Sequence, residues 1–145
     1  MSEFYERYCE AVKNRTQLSP AERFLGFFPV AVEPGFIAFE LNVTEQHANP
    51  QGTLMGGITS ALADMATGVA FSTTLEADET FTTIELKINY LKPVWSGVIR
   101  AEGRVIKRGR TIGLVECSIY DESRSLVAHA TSTCMALRGD KAEGR

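Results

Sequence analysis

The sequence predicts an α+β protein, a curved antiparallel sheet of about six strands wrapped around one long central helix. Three observations predict it. Ile58, Ala61, Leu62, Met65, Ala66 and Val69 recur at the spacing of a helix with one buried face. Residues 36–43 alternate, with Ile37, Phe39, Leu41 and Val43 on one face, as in a half-buried strand. Beyond residue 80 the chain reads as strand after strand. A single helix leaves a sheet edge and part of a face uncovered, so self-association is expected.

The elements follow in order. Residues 4–14 read as a helix with Ser2 as N-cap and Glu3 and Glu6 in its first turns. Ser19-Pro20 opens a short helix through Leu25, which Gly26 ends. Residues 27–32 are an apolar strand, and Phe24, Phe27 and Phe28 are expected in the core. Pro34-Gly35 is a turn before the alternating strand. A loop over 44–54 holds His47, Asn49, Pro50 and Gly52. Gly56-Gly57 precede the central helix, which is expected to run to about Leu75 before an acidic connection at 76–79. Thr82, Ile84, Leu86, Ile88 and Tyr90 then share one strand face, and Thr83, Glu85, Lys87 and Asn89 the other. Trp95, in the break marked by Pro93 and Ser96-Gly97, is expected to pack beneath the sheet, with lining a ligand entrance as the alternative. Residues 98–107, 111–121 and 126–137 form a meander turning at Arg108-Gly109 and near 122–124. The whole chain, 1–145, reads as one domain, with an N-terminal helical segment over about 2–25 and a frayed polar tail from about 139.

Composition narrows the function classes. The net charge of −3 does not favour a nucleic-acid partner. No apolar run is long enough to span a bilayer, and residues 1–10 carry four charges rather than an apolar signal core. Three cysteines without a C-x-x-C spacing fit a reducing, cytoplasmic setting, with Cys117 and Cys134 as small core residues. With two histidines, a histidine-rich metal site is excluded, and no metal is expected. His129 reads as a structural strand residue. Lysine and arginine are absent from 24–86, then Lys87, Lys92, Arg100, Arg104, Lys107, Arg108 and Arg110 arrive with Glu102 alone among them. The run as a whole reads equally as a solvated strand face or as a patch for an anionic ligand such as a phosphate; at the turn Lys107-Arg108-Gly109-Arg110 the ligand is favoured.

The chemistry centres on the helix. Gly57 and Asp64 are seven residues apart and share a face with Ser60 and Gly68, small and polar beside the apolar stripe. Asp is a poor mid-helix residue, and Ala61, Ala63, Met65 and Ala66 around Asp64 read as semi-buried. Unpaired N–H groups at the helix start suit a developing oxyanion, and glycines there let a substrate approach the backbone closely. A carboxylate one to two turns further in is expected within reach of a water bound there. A Ser-His-Asp or Cys-His nucleophile has little material here.

His47-x-Asn49-x-x-Gly52-Thr53-Leu54-Met55-Gly56-Gly57 followed by Leu62-Ala63-Asp64 resembles the signature of the PaaI-like hotdog-fold acyl-CoA thioesterases. The resemblance spans about residues 26–137. It implies a hotdog dimer or dimer of dimers, with active sites at the dimer interface drawing on two subunits. It implies hydrolysis of an acyl-CoA, aryl or of medium to long chain, to free acid and CoA, with no cofactor beyond the CoA of the substrate. By position, Asp64 resembles the catalytic carboxylate, acting on a water or directly. Gly56 resembles the backbone donor to the thioester oxygen, Asn49 the side chain beside it, and Thr83 the hydroxyl holding the water. Met55, Gly57 and His47 fall around the substrate, with Lys107, Arg108 and Arg110 as candidates for the CoA phosphates. One position departs: the family usually has His where Met55 stands. A catalytically weak acyl-CoA binding protein and a hydroxyacyl thioester dehydratase are the alternatives; the dehydratase lacks a His near Asp64.

Overall fold

The computed structural model describes residues 2–143. Helix α1, Glu3–Asn14, starts where Ser2 Oγ accepts the Tyr5 amide at 3.1 Å. Helix α2, Pro20–Leu25, is closed by a reciprocal capping box between Ser19 and Glu22. Glu22 is fully buried and accepts the Tyr8 hydroxyl and the Leu18 amide, both at 2.6 Å, so one carboxylate fastens α1 to α2. Burial first, and that hydrogen bond second, raise the Tyr8 phenol far above the ordinary tyrosine range.

Six strands form one antiparallel sheet: β1 Phe27–Glu33, β2 Phe36–Val43, β3 Glu79–Tyr90, β4 Gly97–Arg108, β5 Ile112–Tyr120 and β6 Leu126–Arg138. Their order is β1-β2-β4-β5-β6-β3, so the expected meander is the sheet's centre and β3 is an outer strand. Helix α3, Gly56–Ser72, lies against this sheet. Leu62, Ala66, Ala70 and Phe71 pack with Ile99, Ala101, Val115 and Cys117, all buried. Burial pushes the Cys117 thiol up to about 12, and Cys134 upward for the same reason, so both are inert core residues. Close approach depends on Gly103, where a Cβ would stand 2.4 Å from the Ala66 carbonyl oxygen. Among the described residues, no helix is long and apolar enough to cross a membrane. This is the α+β layer architecture read from the sequence.

Several expectations are corrected. Helix α3 ends at Ser72 rather than near Leu75, because the hydroxyls of Ser72, Thr73 and Thr74 donate to the carbonyls of Val69, Ala70 and Phe71 at 2.7–2.8 Å and close the last turn. Glu79 belongs to β3 rather than to the acidic connection. Of the three phenylalanines, Phe27 alone is core; Phe24 sits on the free side of α2, 88% exposed, and Phe28 points away from the helix side of β1. Trp95 is also exposed, its ring against Gly52 instead of beneath the sheet. The expected frayed tail contains a 3₁₀ turn, Gly139–Lys141; residues 144–145, like Met1, lie outside the described residues.

The consequential correction lies in β3. Thr83 pairs with Cys134 and Glu85 with Thr133, leaving Ile84 as an extra residue. The bulge breaks the alternation the sequence implied. Phe81 and Thr83 before it, and Leu86, Ile88 and Tyr90 after it, all face the helix: Phe81 meets the Phe71 ring, Thr83 reaches Asp64, and Tyr90 reaches Gly56.

Candidate active site

The loop before α3 is tied to itself. Asn49 Oδ1 accepts the amides of Gln51 and Thr53 at 3.0 and 3.1 Å, and Asn49 Nδ2 donates to Thr53 Oγ1 at 2.9 Å. This leaves one of the two amide hydrogens of Asn49 for a ligand. His47 is an anchor and not part of a substrate rim. Its Nδ1 accepts the Thr44 amide at 3.0 Å, which places the ring proton on Nε2, 3.0 Å from the Leu25 carbonyl. The Met55 amide then donates to the His47 carbonyl at 2.9 Å and delivers the chain into α3. Met55 is the N-cap but supplies no capping side chain; it is half exposed, with its methyl against Gly57. Among the described residues the Gly56 and Gly57 amides have no hydrogen-bond acceptor. The positive end of α3 is therefore unfilled.

A cavity of about 360 Å³ opens at this helix end, lined by Asn49, Thr53, Gly56, Thr59, Tyr90 and Lys92 among others. Tyr90, Thr59 and Lys92 were not picked out as site residues by sequence reading. Tyr90 sat in an alternating strand, where an aromatic is ordinary, and its partner Gly56 is 34 positions earlier.

Asp64 and Thr83 form a second group. Thr83 Oγ1 donates to Asp64 Oδ1 over a long 3.4 Å. Asp64 is exposed rather than semi-buried, because the chain's own sheet packs on the other side of α3. Eight helical positions separate it from Gly56, about 12 Å of axial rise. A water held at Asp64 and an oxygen held at Gly56 of the same chain are therefore more than two helical turns apart along the axis.

The basic run is dispersed and largely neutralised. Arg108 Nη2 is 2.9 Å from Glu79 Oε2, and its guanidinium lies 4.9 Å from the centre of the Phe71 ring. Arg138 contributes a second cation to the same carboxylate. Burial alone would raise Glu79; the Glu76 amide and the two guanidiniums outweigh it and hold the carboxyl below its ordinary range. Arg108 is thus an internal partner and not a phosphate ligand. Arg100 meets Glu40 and Glu102, Lys92 meets Asp121 at 2.5 Å, and Arg104 stacks on Phe36. Glu40, Glu79 and Asp121 come from outside the basic run, so the sequence run overstated the local charge. Lys107 and Arg110 remain exposed at the turn. His129 bonds to Ser118 on the outer sheet face, remote from Asp64.

Residues 51–128 match the family model described as the thioesterase superfamily. The 1,4-dihydroxy-2-naphthoyl-CoA hydrolase of Listeria monocytogenes is 30% identical over 75% of this chain and 89% of its own length. Human acyl-coenzyme A thioesterase 13 is 29% identical over 92% of this chain and 96% of its own. A Haemophilus influenzae thioesterase structure superposes with a TM-score of 0.78 at 29% identity, covering 81% of this chain and 82% of that one. The E. coli PaaI structure, from the phenylacetic acid degradation operon, shares the fold with a TM-score of 0.81 at 22% identity over 95% and 96% of the two chains.

Proposed function

This chain belongs to the thioesterase superfamily, within its PaaI-like hotdog branch, and from that premise we propose that it hydrolyses acyl-CoA thioesters at a site shared by two copies of the chain. The observation that carries the two-chain site is the separation of the donor end of α3, at Gly56, from the Asp64–Thr83 pair. Among the described residues the outer edge of β3 has no partner strand, and Ile84 and Tyr90 lie exposed along it. Pairing of two copies along this edge would bring Asp64 and Thr83 of one towards Gly56 and Asn49 of the other.

In this reading Asp64 takes a proton from a water steadied by Thr83, and the water attacks the thioester carbon. The Gly56 N–H and the free amide hydrogen of Asn49 receive the developing charge on oxygen. Collapse expels the CoA thiolate, and the proton held by Asp64 goes to it. Met55 and Gly57 border the reacting group, and Ile58, Ala61 and Met65, partly buried at the margin of the core, suit an apolar acyl group, aryl or of medium to long chain. Lys107 and Arg110 are the exposed cations assigned to the CoA phosphates. The free thiols fit a cytoplasmic setting. Both histidines are engaged in structural bonds, which disfavours the dehydratase alternative.

The test is release of free CoA thiol from a panel of aryl-, medium- and long-chain acyl-CoAs. Turnover with at least one class supports the reading. Saturable binding without turnover would make the chain an acyl-CoA binding protein, and water addition to an enoyl-CoA a dehydratase. Replacing Lys107 and Arg110 by Ala should raise KM for acyl-CoA while leaving KM for the pantetheine thioester and kcat unchanged. Equal KM values for the two substrates in the wild type would remove the phosphate role.

A further inference from the structure

The first turn of α3 is fastened by two hydroxyl groups. The Met55 carbonyl accepts the amides of Ile58 and Thr59 at 3.0 and 3.2 Å, and also the Thr59 hydroxyl at 3.4 Å. The Gly56 carbonyl accepts the Tyr90 hydroxyl at 3.0 Å. The same phenol oxygen is 2.5 Å from Ser60 Oγ, one turn further along the helix. The Tyr90 ring itself lies against Gly56, where a Cβ would stand 3.2 Å from the nearest ring carbon. Tyr90 thus touches the helix start through its ring and through its hydroxyl.

A peptide group is one conjugated unit. A donor on its carbonyl draws density from its nitrogen and makes the N–H of the same unit a stronger donor. The Gly56 carbonyl and the Gly57 N–H belong to one peptide. The Met55 carbonyl and the Gly56 N–H belong to the one before. Both N–H groups lack an acceptor among the described residues.

We propose that Tyr90 is a positioning residue of the reaction. Held by Ser60, its hydroxyl fixes and polarises the Gly56–Gly57 peptide, so that the Gly57 N–H joins that of Gly56 as a second donor to the thioester oxyanion. The proposal rests on the thioesterase reading above. It also supplies what position 55 does not: methionine brings no strong hydrogen-bond donor to the reacting group, and the helix's own amides, sharpened from behind, serve in its place.

Tyr90→Phe keeps the ring on Gly56 and deletes the hydroxyl. The expected result is a fall in kcat of about tenfold, the effect of one hydrogen bond on a barrier. KM for the acyl-CoA and the melting temperature should stay at wild-type values. In the amide proton spectrum, the Gly57 resonance should move upfield. An unchanged kcat with an unmoved Gly57 resonance overturns the proposal. A kcat loss accompanied by a lowered melting temperature also overturns it, because the phenol would then serve the fold alone. A wild-type protein that releases no thiol from any acyl-CoA would refute the thioesterase reading instead, and the Gly57 resonance would still decide whether Tyr90 polarises that peptide.

Discussion

Asp64 shows what a single side chain reveals and conceals. Its spacing from Gly57 marked it as a site residue, but exposure depends on which side of α3 the sheet occupies, and that is settled by residues far away in sequence. Because Asp64 is exposed, Asp64→Asn should leave the melting temperature unchanged while lowering kcat by about 10²–10⁴-fold, the contribution of a general base. A near-wild-type kcat in that variant would end its assignment. Met55→His should change kcat by no more than about tenfold, since the backbone donors supply the main stabilisation. A larger gain would move the binding-protein reading ahead. Glu79 was read as linker acid because nothing local announces that Arg108 and Arg138 converge on it. Its carboxyl titrates below its unfolded value, so its stabilisation is fully present above that value and lost as pH falls through the folded one. Glu79→Gln should therefore show a shallower loss of melting temperature with pH below about 4.3, the ordinary glutamate value. Parallel curves for the two proteins would refute this.

Among the elements, helices and strands were legible because hydrophobic period and capping are local signals: Ser2, Ser19, Pro20 and Gly26 all act where their chemistry places them. The bulge at Ile84 was not legible. A regular alternation from Thr82 to Tyr90 fits the same residues, and the register is set by β6, roughly fifty positions away. Its effect is to set Thr83 beside Asp64 while keeping Leu86, Ile88 and Tyr90 inward. Thr83→Val preserves the shape and removes the hydroxyl, and should lower kcat about three- to tenfold with KM unchanged. The contact between α3 and β4 is equally exacting. Gly103→Ala would drive a methyl group into the Ala66 carbonyl, and should cost about 1–3 kcal/mol of stability in denaturant unfolding. A neutral result would mean that α3 can lift from the sheet without penalty.

At the level of the whole molecule, one sheet and one helix could be read from the chain, and so could the uncovered edge. The identity of that edge could not, because β3 is third of six in the sequence and last in the sheet: it lies outside by pairing with β6, so that β4, β5 and β6 stand between it and β2. Light scattering should find a dimer or a dimer of dimers, and a stable, active monomer would refute the shared site. A site divided between two chains also makes defects complementable. A chain carrying Asp64→Ala keeps a sound Gly56, and a chain damaged at Gly56 keeps a sound Asp64. Co-expressed and randomly paired, two such dead alleles would regenerate about a quarter of the wild-type sites, all of them in mixed dimers. Heredity would then read the 12 Å between two residues of one helix as two mutations in one gene behaving as though they lay in two.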